Sequence, residues 1–233
     1  MEQKTRKVVL RGAGCGECGG CYEVAAGESL ELYQLCGEGD HKVRVTLAEG
    51  ARAKLLFVAS TSGSVSYDYR VELNGAGAEA ELWGLFAARE RGVAKVHTDM
   101  RHNVADCRSN QQVRGVADDE GYGLFEGLVY VAPDAQRTEA YQQSRNVVLS
   151  PTARIQTLPQ LEIYADDVKC SHGATVGQMD DEAVLYMRQR GLSLATAKRL
   201  QIEGFVSDVV LHSAIDECRE VLLESLERKL EKL

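Results

Sequence analysis

Alternation of apolar and polar residues is the dominant pattern over the first three quarters of the chain. From Lys7 to about Leu47, short apolar runs (Val8 to Leu10; Leu30 and Leu32) are separated by glycine clusters, which reads as strands and turns with no helix of useful length. Between about Lys42 and Gly177 a unit recurs: two aliphatics of one parity, a turn, then a small residue. It is present in Val45 and Leu47 followed by Ala51, in Val129 and Val131 followed by Ala135, and in Val147 and Leu149 followed by Ala153. Val71 and Leu73 followed by Ala76 is the same unit, one residue shorter. Recurrence of this kind marks a solenoid, in which inward positions of one coil stack on those of the next and a small corner residue lets the chain turn without pushing coils apart. A β-sandwich also uses short alternating strands, but it needs hairpin turns, for which Asn74-Gly75 is the one good candidate. Periodicity favours the solenoid and leaves the sandwich open.

The pattern changes at Gly177. Asp180 is a fair N-cap, with Asp181 and Glu182 in the first turn, an apolar stripe of Val184, Leu185 and Met187, and a stop at Arg188, Arg190 and Gly191. Ser193 would cap a second helix reaching about Leu211, with Leu194, Ala197, Leu200 and Ile202 to Phe205 on its apolar side and Gly204 weakening its middle. A third helix is expected from about Ala214 to Leu233, carrying Ile215, Cys218, Val221, Leu222, Leu226 and Leu230. The expected organisation is a short-strand N-terminal segment with a Cys-rich loop (1–41), a β core (42–177) and a C-terminal helical segment (178–233). Those helices must pack on the end of the core, on one another or on a partner. Leu185, Leu200, Phe205 and Val209 are the expected docking residues, since so much apolar surface exceeds what one small solenoid end needs.

Composition narrows the function. A chain of 233 residues with 27 basic and 35 acidic side chains has a formal charge of -8, which argues against nucleic acid or an anionic membrane as the main partner. Residues 1–12 are basic but lack the apolar run of a signal peptide, and no window approaches the roughly 20 apolar residues of a membrane span, so the expected location is the cytoplasm. Seven cysteines in that setting read as thiols or metal ligands rather than as a disulfide framework.

Two constellations carry candidate chemistry. Val168, Cys170, His172, Ala174 and Val176 share one parity, so a thiol and an imidazole leave the same face of one strand. Together they suit iron or zinc, yet a site needs about four ligands, and the same parity also fits a pair packed into the core unless Gly173 releases the strand and lets His172 reach outward. The second is Cys15, Cys18 and Cys21 in CGECGGC, with Cys36 further on. It opens like a ferredoxin-type ligand run without the final Cys-Pro, and would make a metal- or cluster-binding carrier the alternative function. His97, His102 and Cys107 are better explained as solvated or core-satisfied groups. Asp166 and Asp167 have no carboxylate partner in view for glycosidase or lyase chemistry, and Asp180, Asp181 and Glu182 are a helix start. No nucleophile elbow, phosphate loop or zinc-protease motif is present, so the chain is not expected to be an enzyme.

The stretch PQLEIYADDVKCSHGATVGQMDDEAVLYMRQRGL, from Pro159 to Leu192, resembles the signature of the SufB/SufD family, and of its SufD branch above all. LFEGLVYVAPDAQRTEAYQQSRNVVLS, Leu124 to Ser150, is similar to the core of the same family, and the likeness is strongest from Val147 to about Val210. The resemblance implies a right-handed parallel β-helix with a C-terminal helical segment. It implies a scaffold on which an iron–sulfur cluster is built, transiently and shared with a partner chain, with Cys170 and His172 implicated in assembly. The implied partners are a SufC-like ABC-type ATPase, docked on the helical segment, and a SufB-like paralogue or a second copy of this chain. Two departures bear on this: the helical N-terminal portion of the family is not found, and Ala153 stands where SufB-type chains carry a cysteine, so the chain is SufD-like and is not expected to hold a cluster alone.

Overall fold

The structure is a computed structural model that describes residues 4–12 and 19–211. The expected third helix, with Cys218, therefore lies outside the described residues, as do Cys15 and Cys18.

Thirteen described strands run from β1 (Thr5–Gly12) and β2 (Gly20–Val24) through β3 (Ser29–Cys36), β4 (Gly39–Leu47), β5 (Arg52–Thr61), β6 (Ser64–Leu73), β7 (Glu79–Ala88), β8 (Val93–His102), β9 (Arg108–Ala117), β10 (Tyr122–Val131), β11 (Thr138–Val148) and β12 (Arg154–Ile163) to β13 (Val168–Gln178). Consecutive strands fall in different sheets. The odd strands form a 7-stranded sheet in the order β1 to β13, and the even strands a 6-stranded sheet in the order β2 to β12, every pair parallel. This is a parallel β-solenoid with two strands per coil, and it excludes the sandwich. Asn74-Gly75 makes no hairpin: it lies at the corner between β6 and β7, where a Cβ on Gly75 would come within 1.9 Å of the Glu49 backbone nitrogen of the coil below. The boundary expected at 41–42 falls inside β4, and β1 to β3 belong to the same two sheets as the rest.

Inward side chains stack in columns because the register is maintained from strand to strand. In the first coils the lumen is mainly apolar, with Gln34 and His41 as buried polar residues: Leu32, Leu55 and Leu82 follow one another in register, and Phe57 packs against Tyr67 and Tyr69 with ring centroids 5.4 Å from each. Tyr67 donates its hydroxyl to the Cys36 carbonyl at 2.8 Å, and Tyr69 donates to the Gln34 amide oxygen, so the phenols are satisfied in the dry core. The small corner residues are Ala51, Ala78, Cys107 and Thr138, all fully buried and in register at the start of the odd strands. The sequence unit placed Ala76 and Ala135 in this column; the structure puts Ala78 and Thr138 there, because the corners after β6 and β10 are longer than the one after β4. On the solvent face, Arg52 and Glu79, then Arg108, Glu139 and Lys169, continue one column with alternating charge and ion pairs of 3.2 to 3.5 Å.

Asp180 caps α1 (Asp181–Gln189), accepting from the Glu182 and Ala183 amides, and Ser193 Oγ accepts from the Thr196 amide at the start of α2 (Leu194–Leu211). Rather than packing on the end of the solenoid, α2 lies against the outer face of the odd sheet. There Ile202, Val206 and Val209 cover Tyr33, Leu56, Trp83, Leu85 and Val116. Its buried face is Ala197, Ile202, Val206 and Val209; Leu194 and Leu200, expected on that face, are exposed. The odd sheet is thus buried on both faces where α2 crosses it, which explains apolar residues of both parities in β5 and β7.

Candidate functional site

The site is the end of the solenoid at β12 and β13. Among the described residues each of these strands has a hydrogen-bonded neighbour on one side only, so no described coil lies above their lumen-facing side chains. One coil lower, Ala140, Gln142, Ser144 and Asn146 are buried; in register with them, Cys170 is half-buried and His172, Ala174 and Val176 are exposed. Opposite, Ile155 and Leu161 are half-buried and Ile163 is exposed. The thiol and imidazole do share a face, and it is the lumen face, as the core reading required. They are accessible because the coil is the last one described, and β13 runs unbroken through Gly173, with no release of the strand. Burial pushes the Cys170 thiol up from its ordinary value, so at neutral pH it is held as S–H and a metal would have to displace that proton.

Beneath this mouth the lumen changes character. The column that is leucine in the lower coils continues as Gln111, Gln142 and His172. Gln111 and Gln142 are buried, and neither side-chain amide has a hydrogen-bond partner for its nitrogen or its oxygen. Thr98 Oγ1, His102 Nδ1, Asn146 Oδ1 and Thr157 Oγ1 are further buried atoms without partners in the same upper coils. Asn146 also reaches up, its Nδ2 donating to the Thr175 carbonyl of β13 at 3.0 Å. Sequence reasoning passed over these glutamines. The signal was there: Gln111 and Gln142 occupy inward-parity positions, where an amide needs a reason.

The other candidates separate. Cys36 faces the lumen at the base of the solenoid, fully packed, with its Sγ 3.8 Å from the Leu10 carbonyl, whereas Cys21 is exposed on the solvent side of the even sheet. The structure does not bring these two together, and among the described residues no group of three or more His, Cys, Asp or Glu is arranged to hold a metal. His97 is exposed on the even sheet; His102 is buried with its Nε2 2.8 Å from Ser109 Oγ, and burial lowers its pKa to about 4. Cys107 is the corner residue described above, and Asp166 and Asp167 are exposed at the last corner. Of the expected docking residues, Val209 is buried against the chain's own sheet, and Phe205 packs at its edge with Arg114 5.8 Å above its ring. Leu185 and Leu200 are about half exposed and face away from the core. Between α2 and the odd sheet runs a cleft of about 390 Å³ lined by Arg114, Arg145, Val147, Met179 and Phe205. No described helix is long and apolar enough to cross a membrane.

Comparison with known proteins places this geometry. Residues 39–205 match the SufBD core domain of the SUF system for Fe–S cluster assembly. The chain is 35% identical over 163 residues to the iron–sulfur cluster assembly protein SufD of Escherichia coli, covering 70% of this chain and 38% of that protein. It is 30% identical over 195 residues to an iron–sulfur cluster assembly SufBD family protein of Synechocystis, covering 81% and 43%, and 42% identical over 95 residues to protein ABCI7 of Arabidopsis chloroplasts, covering 41% and 20%. It therefore spans less than half the length of these relatives. The matched region runs from β4 into α2 and includes both the solenoid mouth with Cys170 and His172 and the helices that flank it: the chain belongs to the SufB/SufD family of iron–sulfur cluster assembly proteins.

Proposed function

We propose that this chain is a non-catalytic, SufD-like scaffold subunit that pairs with a second scaffold chain through the open end of its solenoid and takes part there in building an iron–sulfur cluster. The observation that carries the reading is the placement of Cys170 and His172 on the lumen face of the last described coil, accessible while the positions of their columns from β3 to β11 are buried. Two ligands do not complete a cluster, and among the described residues no third thiol, imidazole or carboxylate joins them; in this reading the partner supplies the rest. The mouth suits pairing: two unpaired strand edges are rimmed by exposed Leu158, Ile163, Tyr164 and Val176. The cluster is cargo, assembled and passed on in the cytoplasm.

A SufC-like ABC-type ATPase docks on the helical segment through Leu185 and Leu200, the exposed apolar residues of α1 and α2, while Phe205 and Val209 hold α2 to the sheet. The test has two parts. Co-purification with a SufC-like ATPase is lost in Leu185→Glu/Leu200→Glu with the fold intact. Anaerobic reconstitution with iron and sulfide in the presence of a SufB-like chain gives a cluster that fails to form in Cys170→Ser and His172→Ala. Undiminished capture of the ATPase by the first variant, or undiminished cluster yield in the other two, removes the corresponding half of the reading.

A further inference from the structure

We propose that Gln142 is a positioning residue for the His172 imidazole, fixing which ring nitrogen is left free to bind metal. The two residues are in-register partners on β11 and β13, both on the lumen face. Neighbouring strands lie about 4.8 Å apart, a spacing that a glutamine side chain spans. Gln142 is 2% exposed, and neither atom of its amide is hydrogen-bonded. A buried amide without a partner is costly, and the same column holds Leu55 and Leu82 lower down; Gln142 has Gln111 below it and one further neighbour above. In its own column that neighbour is His172. Across the lumen, the side chains on β10 and β12 at this level are Phe125, Gly127, Thr157 and Pro159, none of them titratable. Gly127 is what gives the amide its room: a Cβ there would stand 2.4 Å from Gln142 Nε2.

The chemistry follows from the donor inventory of the two groups. A neutral imidazole carries one N–H and one lone pair; when the Gln142 carbonyl accepts the N–H, the lone pair on the other nitrogen is fixed and aimed out of the mouth. Ligating histidines are commonly held in this way from the side opposite the metal. Gln111, one coil further down and also unpartnered, is too deep to touch the ring and serves as the control.

The inference rests on the proposed reading of His172 as a ligand only for its purpose; the hydrogen bond itself is measurable without metal. Nitrogen-15 NMR of the metal-free chain labelled at histidine reports the tautomer and titration of His172. The expected result is a single dominant tautomer in the wild type, lost in Gln142→Leu, retained in Gln142→Glu, whose carboxylate accepts the same N–H, and unchanged in Gln111→Leu. Gln142→Leu introduces the residue found lower in the same column, so the fold is expected to stand. Cluster yield with the partner chain should fall about 10-fold or more in Gln142→Leu, the usual size of such an effect. His172 shifts identical in wild type and Gln142→Leu would overturn the proposal. A changed tautomer with unchanged cluster yield would likewise overturn the positioning role, while His172→Ala decides separately whether the imidazole is a ligand.

Discussion

Acid should weaken this solenoid through one buried histidine. His102 sits in the lumen between Leu73 and Val131, with Nε2 on Ser109 and Nδ1 without a partner, and burial lowers its pKa from 6.5 to about 4. The folded state therefore binds fewer protons than the unfolded chain between those values. Stability is complete above the unfolded pKa and is lost as pH falls through the window toward the folded one. At 1.36 kcal/mol per pKa unit, the whole window is worth roughly 3 kcal/mol, of which about 2 to 3 kcal/mol is gone by pH 4.5. The variant that isolates the effect is His102→Leu with Ser109→Ala, because the residues one coil lower in the same columns are Leu73 and Ala80. Urea unfolding followed by the fluorescence of Trp83, the single tryptophan, gives the stability of both proteins at each pH. The remaining titratable groups are common to both proteins and cancel in the difference. The gap between the two profiles should change by about 2 to 3 kcal/mol from pH 7.5 to 4.5; parallel profiles would refute the assignment.

Three further outcomes follow from the packing. Val206→Asp places a carboxylate at a site that is 2% exposed and should free α2 from the odd sheet, seen as a red shift of Trp83 emission with the β signal in far-UV circular dichroism retained. Gly84→Ala puts a methyl group 2.1 Å from the Phe57 ring and should cost about 1–3 kcal/mol in urea unfolding, since a stacked lumen has nowhere to move the ring. Glu139→Lys sets a third positive charge between Arg108 and Lys169; these groups are exposed enough that the loss should stay below about 1 kcal/mol and shrink in high salt.

Much of the fold was legible because a solenoid repeats its physics. Same-parity aliphatics such as Val45 and Leu47, or Val129 and Val131, do point into the lumen, and the αβ boundary was marked by Asp180, whose side chain caps α1 as its position suggested. What blurred the repeat was corner length. In-register Arg52, Glu79, Arg108, Glu139 and Lys169 are unevenly spaced in sequence because each corner between them has its own number of residues, and this put Ala76 where Ala78 belongs. The more regular marker was missed: a left-handed residue directly before the buried corner residue, as in Gly50-Ala51, Gly77-Ala78, Asp106-Cys107 and Arg137-Thr138. At the site, parity placed Cys170 and His172 on one face but could not say that their coil lies at an end, which is a property of the stack and not of the strand. The helical segment was misjudged for a related reason. Apolar residues of both parities in β5 and β7 signalled a sheet covered on its outer face, and that cover accounts for Val209 and part of Phe205.

The central claim, that the open mouth of the solenoid contributes Cys170 and His172 to a cluster shared with a second chain, is tested most directly by pulsed EPR. The sample is the reduced, reconstituted pair in which only this chain carries nitrogen-15 histidine. The account predicts a nitrogen-15 hyperfine coupling that disappears in His172→Ala and a cluster that does not form in Cys170→Ser. A cluster formed in full yield without that coupling, and indifferent to both substitutions, would contradict it.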